Sequence, residues 1–120
     1  MSALTEILTR VPTQHLRAEL VRRTHNKHSA KTHRIIQAIS QAYDVDPEDL
    51  RYLRTPTITT ARQAAMVLMR RAEITLDAIA EIFELTGPTV YHAVRTQHLR
   101  MQSPDYAAKF KRAQQLLKPQ

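Results

Sequence analysis

The residues best equipped for chemistry cluster between Thr86 and Arg95. Two hydroxyls (Thr86, Thr89), a phenol (Tyr91), an imidazole (His92) and a guanidinium (Arg95) occur within ten residues. Polar groups near the exposed N-terminal end of a helix suit a duplex major groove, which is about 12 Å wide. Rival chemistries have weaker support. Asp46, Glu48 and Asp49 form an acidic cluster, but around Pro47 they read as helix-start charges rather than a catalytic pair. His25, His28 and His33 lack the cysteine or neighbouring carboxylate that would complete a metal site. Cysteine is absent, which removes disulfides, thiolate zinc sites and cysteine nucleophiles together and fits a reducing compartment. Glycine occurs once, at Gly87, so P-loop and Rossmann folds, which need several, are excluded on count. No catalytic residue, no metal and no cofactor is expected.

The polar cluster needs two helices to position it. Leu76, Ile79, Ala80 and Phe83 fall on one side of a short helix that Thr75 caps. Leu85-Thr86-Gly87 reads as a tight turn. A second helix starts at Pro88 and runs to about Arg100, with Val90, Ala93 and Val94 available to pack. The first helix braces the second, whose first turn projects into the groove: a helix-turn-helix. A plain helical hairpin inside a bundle has the same pattern.

The rest of the chain also reads as helix. Ser2 to Thr9 forms a short helix, and Pro12 opens a second to about Thr24 with Leu16, Leu20 and Val21 on one stripe. Thr24 to Lys31 is a polar linker, and Ser29 caps the next helix. Ile35, Ile36, Ile39, Ala42 and Tyr43 there follow the 3.6-residue period. Asp46 caps a short helix ending near Leu53; a loop covers Arg54 to Ile58; and Thr59 or Thr60 caps a strong helix to about Ala72. Ser103-Pro104-Asp105 starts a last helix to about Leu117. No alternating apolar run or hairpin dipeptide marks a strand. The expected fold is all-α, six to eight helices.

The 120 residues fit one compact domain, with 42% hydrophobic and 24% charged residues, close to globular usage. No apolar run is long enough to span a bilayer, and the first ten residues lack the pattern of a secretory signal. The formal charge is +7, and 13 of the 18 cations are arginine, the better partner for phosphate and guanine. Residues 1–34 hold seven Lys/Arg against two acids, whereas residues 35–120 hold eleven against nine. A polyanionic partner, nucleic acid above all, follows from this balance.

Four blocks extend the reading: AYDVDPEDLRYLR, TARQAAMVLMRR, ITLDAIAEIFE and PTVYHAVR. In this order, and with these helix breaks, the stretch from about Thr32 to Leu117 resembles the C-terminal DNA-binding domain of the bacterial replication initiator DnaA. The resemblance implies an all-α helix-turn-helix domain of the DnaA C-terminal, Trp-repressor-like type over 32–120. Residues 1–31 would then be an extra basic N-terminal helical extension. It implies that Arg54 occupies the basic loop that reaches into the minor groove. Arg62 and Gln63 match an Arg-Gln pair that opens the long helix and meets the backbone or nearby bases, and Arg70 matches a phosphate-contacting cation. Thr89 and His92 match the signature threonine and histidine that anchor the recognition helix to phosphates.

The chain departs from the family where bases are read. The family's Asp-His-Thr-Thr-Val follows a Gly-Gly-Arg turn; here Glu84-Leu85-Thr86-Gly87-Pro88-Thr89-Val90 is one residue shorter. Thr86, Gly87 and Pro88 stand at the three principal base-reading positions. Glycine has no side chain to read with, and proline has neither donor nor acceptor there. Ala80 replaces a family glycine. Phosphate contacts position and base contacts specify, so duplex binding is the expected inheritance and box recognition is not. Without a P-loop the chain is expected to be a free-standing relative or an excised domain. The expected partner is double-stranded DNA, in replication initiation, its regulation or transcription, in a cytoplasmic, nucleoid-associated setting without membrane contact. The alternative is a protein-interaction module that regulates the replication initiator or another DNA-bound factor.

Overall fold

The computed structural model describes residues 30–118. The helices expected within Ser2–Thr24, the linker at Thr24–Lys31 and the Ser29 cap lie outside these or at their edge. Among the described residues the fold is all-α, with seven helices and no strand. They are α1 (30–43), α2 (Pro47–Tyr52), α3 (Pro56–Arg71), α4 (Leu76–Ile82), α5 (Gly87–Arg95), α6 (Gln97–Arg100) and α7 (Pro104–Leu117). No helix among the described residues is long and apolar enough to cross a membrane.

α3 is the central element, packing on α2, α4 and α5. Its stretch from Ala61 to Met69 is buried nearly all round, apart from half-buried Gln63, as a helix surrounded by others must be. Small residues there (Ala61, Ala64, Ala65) let its neighbours approach closely. Ile79, Phe83 and Val90 are fully buried and fasten α4 and α5 to this core, each worth about 1.5–3 kcal/mol of transfer free energy. α1 adds Ile35, Ile36, Ile39, Ala42 and Tyr43 on the expected stripe. α7 closes the other side through Tyr106, which meets the Tyr43 ring edge-on and stacks on Phe110, both at 6.0 Å.

Helix starts follow local chemistry. Asp46 accepts from the Glu48 N–H at 2.9 Å, Thr75 from Ala78 and Ser103 from Tyr106. Two expected boundaries are corrected. α3 starts at Pro56, with Thr55 as its cap residue, rather than at Thr59 or Thr60. Proline's fixed φ presets the first turn, and the Thr60 hydroxyl bonds back to the Pro56 carbonyl, so Thr60 is already inside the helix. The single helix expected from Pro88 to Arg100 is two, α5 and α6. The Thr96 hydroxyl donates to the His92 carbonyl at 2.8 Å alongside the Thr96 N–H, and Arg100 reaches back to Thr96 Oγ1 and to the Ala93 carbonyl, which the Gln97 N–H would use in a continued helix.

Helix ends use an unexpected device. α1, α3 and α4 each stop at an acidic residue with positive φ: Asp44 (55°), Glu73 (67°) and Glu84 (55°). In each case the next residue is apolar, and its N–H returns to the carbonyl five residues earlier: Val45 to Ser40, Ile74 to Met69, Leu85 to Ala80. This is the Schellman stop, with an acid where glycine is usual. The turn between α4 and α5 therefore rests on Glu84. Gly87, expected to make that turn, is the first residue of α5 and has no positive φ.

Candidate nucleic-acid interface

α4, the Glu84 turn and α5 form the expected helix-turn-helix. Val90 and Ala93 face the core, and Val94 is partly buried. At 100° per residue this leaves Pro88, Thr89, Tyr91, His92 and Arg95 on the outer face, and all five are exposed. Tyr91 is 53% exposed, far more than a large ring used for packing. No acidic residue occupies the first turn of α5, although the Asp77 carboxylate of α4 lies close to Gly87 at its start. The Thr86 hydroxyl caps that turn, accepting from the Thr89 N–H, and lies 2.9 Å from the Thr89 hydroxyl.

An open groove of about 450 Å³ runs between the first half of α3 and α5. It brings together Arg54, Arg62, Gln63, Thr89 and His92, five positions singled out from the sequence. Thr86 adjoins it through Thr89. Tyr91 and Arg95 lie on the neighbouring outer face of α5. Arg70 does not line the groove: it sits two turns beyond Arg62 along α3, exposed, with Nη1 donating to the Ile74 carbonyl at 3.4 Å.

The two loop and helix arginines differ in what they touch. Arg54 is exposed, and its Nη2 donates to the Phe83 carbonyl at 3.2 Å, the last turn of α4. Arg51 does the same to the Ile82 carbonyl at 3.4 Å. Arg62 is 2% exposed. Its Nε donates to the Leu50 carbonyl at 2.8 Å and its Nη2 to the Leu53 carbonyl. Desolvation, followed by the neighbouring Arg54 charge, pushes its pKa below the usual arginine value. The Arg62 guanidinium therefore faces inward at the edge of the groove, where α2 ends on carbonyls that need donors.

Sequence reasoning missed Arg51 and Arg100. Arg100 bonds the Ala93 carbonyl, Thr96, Gln97 and the Tyr106 hydroxyl, tying the end of α5 to α6 and α7. Tyr106 also donates to Gln97 Oε1 at 2.6 Å. The available signal was an arginine one helical turn after a threonine, Thr96 and Arg100. Among the described residues no group of three or more His, Asp or Glu side chains could hold a metal ion.

A family model described as the bacterial dnaA protein helix-turn-helix matches residues 32–96. That span takes in α2 to α5 and almost all of α1 as described. Neither a search of curated proteins nor one of solved structures gives a match.

Proposed function

Because the chain belongs to the bacterial dnaA helix-turn-helix family, a family of DNA-binding domains, we propose that it binds duplex DNA with little base discrimination and acts in replication initiation, its regulation or transcription. In this reading α5 enters the major groove by its outer face. Thr89, His92 and Arg95 meet phosphates and groove edges, and Arg54 serves the adjacent minor groove. Gln63 lines the same wall, and Arg70 adds positive charge farther along α3. Residues 1–31 act as a basic extension to the phosphate footprint, since most of the excess charge precedes residue 35.

The observation that carries the reading is the composition of the outer face of α5. It is exposed, free of carboxylates, and set beside a groove holding two arginines. Its first turn is poor in base-reading groups: Thr86 is engaged with Thr89, Gly87 has no side chain, and Pro88 has no donor. Affinity then comes mainly from phosphates, and preference from groove shape.

The test is an anisotropy titration of a labelled random duplex across a salt series. The expected log–log slope is about −0.9 per phosphate neutralised, several units in all. A flat, weak response at every salt concentration contradicts duplex binding. A second reading is favoured by exposed Tyr52 and Leu53, at 47% and 43%. Apolar groups beside the arginine loop suit a protein partner such as the replication initiator, and that flat response is what this reading predicts.

A further inference from the structure

Arg62 lines the groove yet is 2% exposed, and its fork is already occupied by the Leu50 and Leu53 carbonyls. These carbonyls lie at the C-terminal end of α2, where the helix leaves acceptors without internal partners and where its dipole favours a cation. Leu53 directly precedes Arg54. On the far side, Arg54 and Arg51 hold the last carbonyls of α4. The three-residue connection from α2 to α3 is thus fastened at one end by a buried guanidinium and at the other to the helix-turn-helix turn.

We infer that Arg62 is a positioning residue for DNA binding: it makes no contact with the duplex, and by pinning the Leu50 and Leu53 carbonyls it sets the place from which Arg54 reaches the backbone. Arg62 Nε and Nη2 serve two carbonyls that no other described donor reaches, and a residue only 2% exposed presents little of its guanidinium to a phosphate. Lysine cannot replace it, because one ammonium on a flexible stem does not reproduce a planar fork spanning two carbonyls. Gln63, the next residue and half-buried, is left as the groove-lining member of the pair. The inference rests on the proposed duplex binding and adds a division of labour between two arginines in one groove.

The experiment measures the salt dependence of random-duplex binding for the full chain and for R54A, R62Q, R62K and the double variant R54A/R62Q. Circular dichroism melting checks that each is folded. A phosphate-contacting cation contributes about 0.9 to the slope. R54A and R62Q should each lower its magnitude by about 0.9, and the double variant should lower it no further. R62K should behave as R62Q does, although it keeps the charge; if R62Q does not fold, R62K alone and in the R54A background gives the same comparison. A double variant losing about 1.8, an R62Q slope equal to that of the unaltered protein, or a normal slope in R62K would each overturn the inference while leaving duplex binding intact. A flat titration for the unaltered protein would instead remove the duplex-binding reading, and this inference with it.

Discussion

Arg54 and Phe83 are 29 residues apart in the chain, and the Arg54 guanidinium donates to the Phe83 carbonyl at 3.2 Å. Phe83 is fully buried and is the cap residue of α4, one position before the left-handed turn at Glu84. The bond joins the loop proposed for the minor groove to the turn that sets the direction of α5. A charged donor on a helix-terminal carbonyl is favourable both as a hydrogen bond and against the helix dipole.

Arg54→Ala should therefore have two effects. Stability in urea should fall by about 1 kcal/mol, the ordinary net worth of such a bond. Affinity should fall for both A·T-rich and G·C-rich duplexes, and more for the A·T-rich one, whose narrow minor groove favours an inserted arginine. Unchanged binding to both duplexes would show that Arg54 serves only the fold.

The turn gives a sharper stability prediction. Glu84 has φ 55°, which costs an L-residue about 1–2 kcal/mol, and its carboxylate stands at the negative end of α4. Glu84→Gly should raise stability by up to about 1 kcal/mol, after allowing for the greater freedom of glycine in the unfolded chain. Gly87→Ala should be neutral or mildly stabilising, since Gly87 is helical and an added Cβ would meet only Asp77 Oδ1 at 3.8 Å. Thermal melts decide both. A marked loss of stability in Gly87→Ala would mean that the glycine is needed for the turn after all.

The contrast between Glu84 and Gly87 shows what could be read in advance. The helix starts at Asp46, Thr75 and Ser103 were legible because their chemistry is local: each precedes proline or an apolar period and each makes the expected cap bond; the start of α3 at Pro56, where Thr55 makes no cap bond, was not. Helix stops near Leu53, Ala72, Phe83 and Leu117 were legible to within a residue, but the device that makes three of the stops was not, because the usual glycine is replaced by an acid-apolar pair, seen at Asp44-Val45, Glu73-Ile74 and Glu84-Leu85. The outer face of α5 was legible from its period. The inward turn of Arg62 was not, since nothing in TARQAAM says that α2 ends on carbonyls within its reach. The break at Thr96 was hidden for a similar reason: there Arg100 reaches back to the Ala93 carbonyl.

Arg100→Ala should cost about 1–3 kcal/mol. It strips a charged donor from the Ala93 carbonyl and from the Tyr106 hydroxyl, both at least partly buried. Tyr106→Phe should cost less, because it removes one hydroxyl and keeps both ring contacts. Urea denaturation of the two variants gives the order. Equal costs would mean that packing, rather than the arginine, holds α7 in place.

Specificity should be shallow. A bidentate base contact gives about 1–3 kcal/mol of discrimination, and a single hydroxyl gives less. A duplex carrying the replication initiator's box should therefore compete at most about tenfold better than a random duplex at fixed salt. The A·T-rich duplex should outcompete the G·C-rich one through its narrow minor groove. A thousandfold preference for the box would require base readers that the first turn of α5 does not contain.

In the proposed complex α5 meets the duplex by its outer face. A two-dimensional amide NMR titration with a random duplex tests it most directly. The largest shifts should fall on Thr89, Tyr91, His92 and Arg95 and on the loop around Arg54, with α7 little affected. Shifts confined to α1 and α7, or no shifts at saturating duplex, would contradict it.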